Sequence, residues 1–73
     1  MTINNNDIIF KILTNKKFTH KKKRGLTYFN LNALCFTCPN NFAAKIFQLL
    51  DKKNLKGLRA LIELYGERIK TNF

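Results

Sequence analysis

Fourteen Lys and Arg against four Asp and Glu leave this 73-residue chain with a formal charge of +10. Any fold open to it must spread those charges over the surface of one small core. Self-repulsion of that size works against a compact state unless counter-charge screens it or a partner neutralises it. The densest cluster, Lys21, Lys22, Lys23 and Arg24, lies in a stretch with no acid anywhere near it. Its expected partner is an anion.

A chain this short has one core at most, so a single domain is expected. Domains near this size bury only about 60% of the surface their unfolded chains expose, and many are completed by a metal, disulfides or a second copy. A homodimer is therefore among the expectations. The hydrophobic fraction of 45% and seven Phe supply enough apolar area to exclude global disorder despite the charge. The first apolar stretch, Ile8 to Leu13, is preceded by Asp7, interrupted by Lys11 and far too short to span a bilayer. Neither a secretory signal nor an Arg-rich presequence is visible, since no Arg precedes Arg24. The expected location is intracellular, cytoplasmic or organellar. Half of the chain is Asn, Lys, Ile, Phe and Tyr, residues of AT-rich codons, which suits an organelle, a low-GC bacterium or a mobile element.

Hydropathy patterning predicts a small α+β domain, with an N-terminal β-hairpin or short strands followed by a C-terminal antiparallel helical hairpin. Residues 1–7 are polar and Asn-rich and read as a flexible lead-in. Residues 8–37 read as strands around a basic loop at 15–25. In the first of them Ile8, Phe10, Ile12 and Thr14 share one face at period two. A short helix capped by Asp7 is the competing reading of residues 8–14, because Ile8, Ile9, Ile12 and Leu13 also form a helical stripe. In the second strand, 26–37, Thr27, Phe29, Leu31 and Ala33 share a face, with a bend expected at the Asn residues. Pro39 stops that strand, and the Asn residues after it are suited to cap a helix.

From residue 41 the period changes. Ala43, Ile46, Phe47 and Leu50 predict a helix over 41–52, and Leu55, Leu58, Leu61, Ile62, Tyr65 and Ile69 predict another over 55–70, capped by Asn54. Gly66 is placed to end or loosen its last turns. The short polar break between the two apolar stripes makes an antiparallel pair the simplest packing.

The segment from Lys16 to Arg24 carries the strongest functional signal. Lys16, Lys17, Lys21, Lys22, Lys23 and Arg24 can neutralise phosphates while Phe18 and His20 stack on unpaired bases; a merely solvated loop is the plain alternative. A second basic group, Lys52, Lys53, Lys56 and Arg59 with Lys45 nearby, gathers at the turn between the helices. There Lys56 and Arg59 could join the helix N-terminus in holding a phosphate, or Arg59 and Glu63 could simply form a surface pair at i, i+4. A DNA-reading helix-turn-helix is not supported: its turn glycine would fall at Phe47 or Gln48, and the glycine present, Gly57, follows Lys53 by four.

Cys35-Phe36-Thr37-Cys38 is a CxxC motif. Buried or inert thiols are its first reading, ahead of half a zinc site lacking two ligands and of a redox pair. Its position at a strand end before a helix resembles the thioredoxin-like junction, but that resemblance covers the junction alone. The chain is too short for the rest of that fold, and Pro39 is its only proline. With four carboxylates, one His and no Ser, no catalytic constellation emerges, and Glu63 and Glu67 have no metal-binding frame around them. No cofactor is implied.

The expectation is a non-enzymatic, nucleic-acid-binding accessory protein for DNA or RNA, gripping the phosphate backbone with limited sequence specificity because Arg, the bidentate reader, is scarce. The alternative is a small interaction module or inhibitor of the phage or plasmid type that docks its basic surface on an acidic patch of a larger protein. A peripheral membrane binder ranks third.

Overall fold

The computed structural model describes residues 5–72. A helix comes first, α1 (Asn5–Thr14), then the strands β1 (Thr19–Lys23), β2 (Leu26–Leu31) and β3 (Leu34–Pro39). The helices α2 (Asn40–Asp51) and α3 (Leu55–Tyr65) follow, and a single 3-10 turn, Gly66–Arg68, leads into β4 (Lys70–Asn72). The order is thus helix, strands, helices and a last short strand, which corrects the expectation of strands at the N-terminus. Residues 1–4 of the expected lead-in lie outside the described residues, while 5–7 form the first turn of α1.

The helical alternative for residues 8–14 prevails because it buries the right side chains. Ile9, Ile12 and Leu13 recur at i, i+3, i+4 and are at most 2% exposed, while Lys11 and Thr14 face out. A strand over the same residues would instead have turned Ile8, Phe10, Ile12 and Thr14 to one side. Asp7 sits inside the first turn rather than at the cap, where its charge still complements the helix dipole. The helix closes with Thr14 Oγ1 donating to the Phe10 carbonyl at 2.9 Å. The Asn15 side chain then accepts from the Lys17 N–H at 2.9 Å and turns the chain into β1.

The four strands form an antiparallel meander in the order β1-β2-β3-β4. The expected basic loop at 15–25 is therefore mostly strand: Thr19–Lys23 pairs with β2 along its whole length, from Thr19 opposite Asn30 to Lys23 opposite Leu26. Its hairpin turn is Arg24–Gly25, with φ of +52° and +79°, the positive values that match the twist of the flanking strands. The expected single strand over 26–37 is two strands, divided at Asn32 and Ala33. Asn32 takes φ +55°, which Asn tolerates better than most residues.

Alternation along β2 and β3 sets the two faces of the sheet. Thr27, Phe29, Phe36 and Cys38 point inward and are at most 1% exposed. Phe29 and Phe36, opposite each other in register, stack with centroids 4.8 Å apart. Around them Ile9, Ile12 and Leu13 of α1, Phe42, Ala43 and Ile46 of α2, and Leu58 and Ile62 of α3 complete one core.

Two further corrections concern helix ends. The Asn residues after Pro39 do not cap α2: Pro39 itself occupies the N-cap position, and the Asn40 side chain accepts the buried Thr27 hydroxyl at 2.7 Å. The second predicted helix stops at Tyr65 instead of running to residue 70. A Cβ at Gly66 would come within 2.8 Å of the Asn6 side chain, so the glycine lets α1 approach there. Ile69, expected on the helical stripe, reaches the same core from extended backbone just before β4. Asn54 does cap α3, its side chain accepting the Gly57 N–H at 3.0 Å.

The Thr27–Asn40 bond couples the sheet to the start of α2 and has unequal ends, because Thr27 is fully buried and Asn40 only partly so. Asn40→Ala, which strands a buried hydroxyl, is expected to cost about 1–3 kcal/mol, and Thr27→Val, which removes that hydroxyl, about 1 kcal/mol or less. Urea unfolding of both variants with unchanged m-values checks the order.

Candidate functional site

All five residues of β1 are exposed. A strand reading Thr-His-Lys-Lys-Lys has little intrinsic reason to be extended, and it forms because β2 supplies a complete ladder of partners. As an edge strand it also benefits from its lysines, whose charges oppose edge-to-edge pairing with another chain. Alternation then divides the basic run between the two faces. By register Lys21 and Lys23 stand beside Tyr28 and Leu26 on the outer face, whereas His20 and Lys22 lie toward the helices. Arg24 follows at the hairpin tip, at a left-handed backbone position that costs a non-glycine residue roughly 1 kcal/mol. Among the described residues, none of Lys16, Lys17, Lys21, Lys22, Lys23 and Arg24 pairs with a carboxylate.

On the helical side the two basic groups of the sequence meet. Lys16 and Lys22 line an open groove of about 1030 Å³ together with Lys53 from the turn after α2. Leu13, Phe18, Phe47 and Leu55 form its apolar wall, and Asp51 is its one acid. Phe18, expected as an exposed stacking ring, is half-buried there at 5.9 Å from Phe29. The His20 ring lies 4.7 Å from that of Phe47. Both rings belong to an aromatic cluster that extends the core outward.

Arg59 is committed elsewhere. Its guanidinium pairs with Asp7 of α1 and with Glu63 at 3.4 Å, and it lies over the Phe10 ring at 5.2 Å. Each pair is worth little alone, since these side chains are between about two-fifths and three-fifths exposed, but together they tie α1 to α3. In this structure Arg59 forms the surface pair with Glu63 expected at i, i+4, and a second pair with Asp7. The Gly57 N–H, one of those offered by the start of α3, is occupied by the Asn54 side chain. Lys52 and Lys56 are exposed beside that turn.

The CxxC motif is divided by strand geometry. Residues three apart on an extended strand point to opposite faces, so Cys38 is buried in the core and Cys35 is half-exposed on the outer face. The pair cannot close on one metal or on each other from these positions. Burial pushes the Cys38 thiol up to about 12 from 9.0, which keeps it protonated and unreactive. Among the described residues, no group of three or more His, Cys, Asp and Glu could hold a metal ion.

The residues missed by the sequence reading are Tyr28 and Lys70. In register, Lys21, Tyr28, Thr37 and Lys70 form one row across the outer face of the sheet, with Tyr28 and Leu26 each 37% exposed. Their signal was available: if Thr27 and Phe29 face inward, Leu26 and Tyr28 must face out. Lys70 was hidden by its assignment to a helix. Compared with known proteins, the chain matches no family model, no curated protein and no solved structure.

The division of the cysteines predicts one fast thiol. An aromatic disulfide reagent at pH 8 is expected to titrate Cys35 in the folded protein and Cys38 only after denaturation. Cys35→Ser should abolish the fast phase.

Proposed function

We propose that the protein is a small nucleic-acid-binding accessory protein that grips the phosphate backbone with limited sequence specificity, and that it is a binder rather than an enzyme. The observation that carries this reading is strand β1, all five of whose residues are exposed, with its Arg24 tip. There a run of cations is held in extended form, unpaired by any carboxylate of the described residues. All four acids lie on the helical elements: Asp7 on α1, Asp51 on α2, Glu63 on α3 and Glu67 in the 3-10 turn. The sheet side thus presents positive charge without local cancellation, the footprint of a backbone-binding surface. Lys outnumbers Arg eleven to three in the sequence, which favours point-charge contacts with phosphate over bidentate base reading.

The groove supports a second reading. Its apolar wall and its lysines, Lys16, Lys22 and Lys53, suit an acidic segment of a larger protein that carries apolar anchors of its own. The sheet side favours nucleic acid. Among the described residues no helix is long and apolar enough to cross a membrane.

Salt separates the two readings. Nucleic-acid affinity, expected at about micromolar or tighter at low salt, should fall linearly in log–log form as salt rises, by roughly one unit of slope for each phosphate contact. A protein partner seated in the groove would keep most of its affinity. Changing Lys21, Lys22, Lys23 and Arg24 together to Ser should remove most of the binding and flatten the slope, as measured by fluorescence anisotropy of labelled DNA and RNA. Unchanged binding would exclude β1 from the site.

A further inference from the structure

We infer that the outer face of the sheet is a base-stacking platform for single-stranded nucleic acid, with Tyr28 as the stacking ring and Lys21, Lys23 and Lys70 as its phosphate contacts. This rests on the nucleic-acid reading above and names the strand state it prefers.

The three helices and the inward residues of β2 and β3 form the core on one side of the sheet. Tyr28 stands on the other side, in the middle of the row Lys21, Tyr28, Thr37 and Lys70. Adjacent strands lie about 4.8 Å apart, so one lysine flanks the tyrosine at a single strand spacing and another at two. Leu26, two residues before Tyr28 and therefore on the same face, is opposite Lys23. The result is a strip with an aromatic and an aliphatic residue in its middle and cations at both edges. The acids of the described residues belong to the helical elements, so none stands in this strip.

Among the described residues the Tyr28 ring has no aromatic or cationic partner, whereas Tyr65, the other tyrosine, packs edge-on against Phe42 at 5.7 Å. Tyr28 is 37% exposed on the face turned away from the helices, so a ligand can reach its ring from that side. Bases in a duplex offer only their edges, because their faces are stacked on neighbours. An unpaired base can lie on the ring while its flanking phosphates reach the lysines on either side, and stacking of that kind tolerates any sequence. A protein interface is the less suitable occupant, since lysine is depleted from interface cores and three of them surround this one aromatic.

The chain has no Trp, so tyrosine emission is readable, and a Tyr65→Phe background leaves Tyr28 as the sole reporter. In that background a single-stranded oligothymidine is expected to quench the emission and a hairpin duplex of equal charge to leave it largely unchanged. By anisotropy, Tyr28→Ala should weaken oligothymidine binding about tenfold or more while changing duplex binding less than about twofold. Its salt slope should be retained, because no cation is lost. Tyr28→Phe should bind as the parent does, and circular dichroism of each variant should show the parental fold. Parental oligothymidine affinity in folded Tyr28→Ala, with steep salt dependence intact, would overturn the platform and leave the backbone-binding reading standing. Failure of the parent protein to bind any nucleic acid at low salt would remove both. Equal dependence on Tyr28 in binding poly-glutamate would overturn the platform in favour of an acidic protein partner.

Discussion

Phe29 and Phe36 face each other across two neighbouring strands, fully buried and stacked, and the arrangement of the helices follows from the need to keep that pair dry. In so short a chain one sheet face can be covered and the other cannot. Each helix contributes to the cover: α1 with Ile9, Ile12 and Leu13, α2 with Ala43 and Ile46, and α3 with Leu58 and Ile62. Ile69 joins the same core from the approach to β4. The first segment, which precedes the sheet in the chain, closes this core as a helix rather than extending the sheet as a strand.

The same one-sided core organises the charge. Helices that lie on a core have an outward face available for acids, and all four acids are found on them or on the 3-10 turn that follows. Arg59 is drawn into this region, joining α1 and α3 through Asp7 and Glu63. Among the described residues, the lysines of β1 and Lys70 pair with no carboxylate. Lys21, Lys23 and Lys70 stand on the open face of the sheet, where paired strands fix their spacing and β2 adds the exposed ring of Tyr28. The edge lysines serve the fold by opposing strand addition and, on the proposed reading, serve binding through the same charge.

The cysteines show how the backbone can undo a sequence motif. A CxxC in a turn or at a helix start brings two sulfurs together, whereas along β3 the same spacing sends one thiol into the core and leaves the other outside. Cys38 then behaves as a small apolar side chain, with its proton held by burial. Strand geometry thus gives the two thiols different surroundings, buried at Cys38 and half-buried at Cys35.

By itself the sequence determined the charge, the existence of α2 and α3, the Asn54 cap and the inward facing of Thr27 and Phe29, with Leu31 half-buried beside them, because each of those is written in local periodicity or local side-chain chemistry. Ala33, expected on the same face, falls instead in the exposed turn between β2 and β3. The tertiary structure decided what periodicity left open. Residues 8–14 fit both a strand and a helix, and the choice follows from which set of apolar side chains the sheet and α3 could bury. The basic segment became a strand because β2 was there to pair with it, a long-range partnership that no lysine run announces. Thr27 and Asn40 are thirteen residues apart, so an asparagine suited to capping was diverted to a buried hydroxyl. The row of Lys21, Tyr28, Thr37 and Lys70 draws one residue from each of four strands, and only pairing, a relation between distant segments, could bring them together.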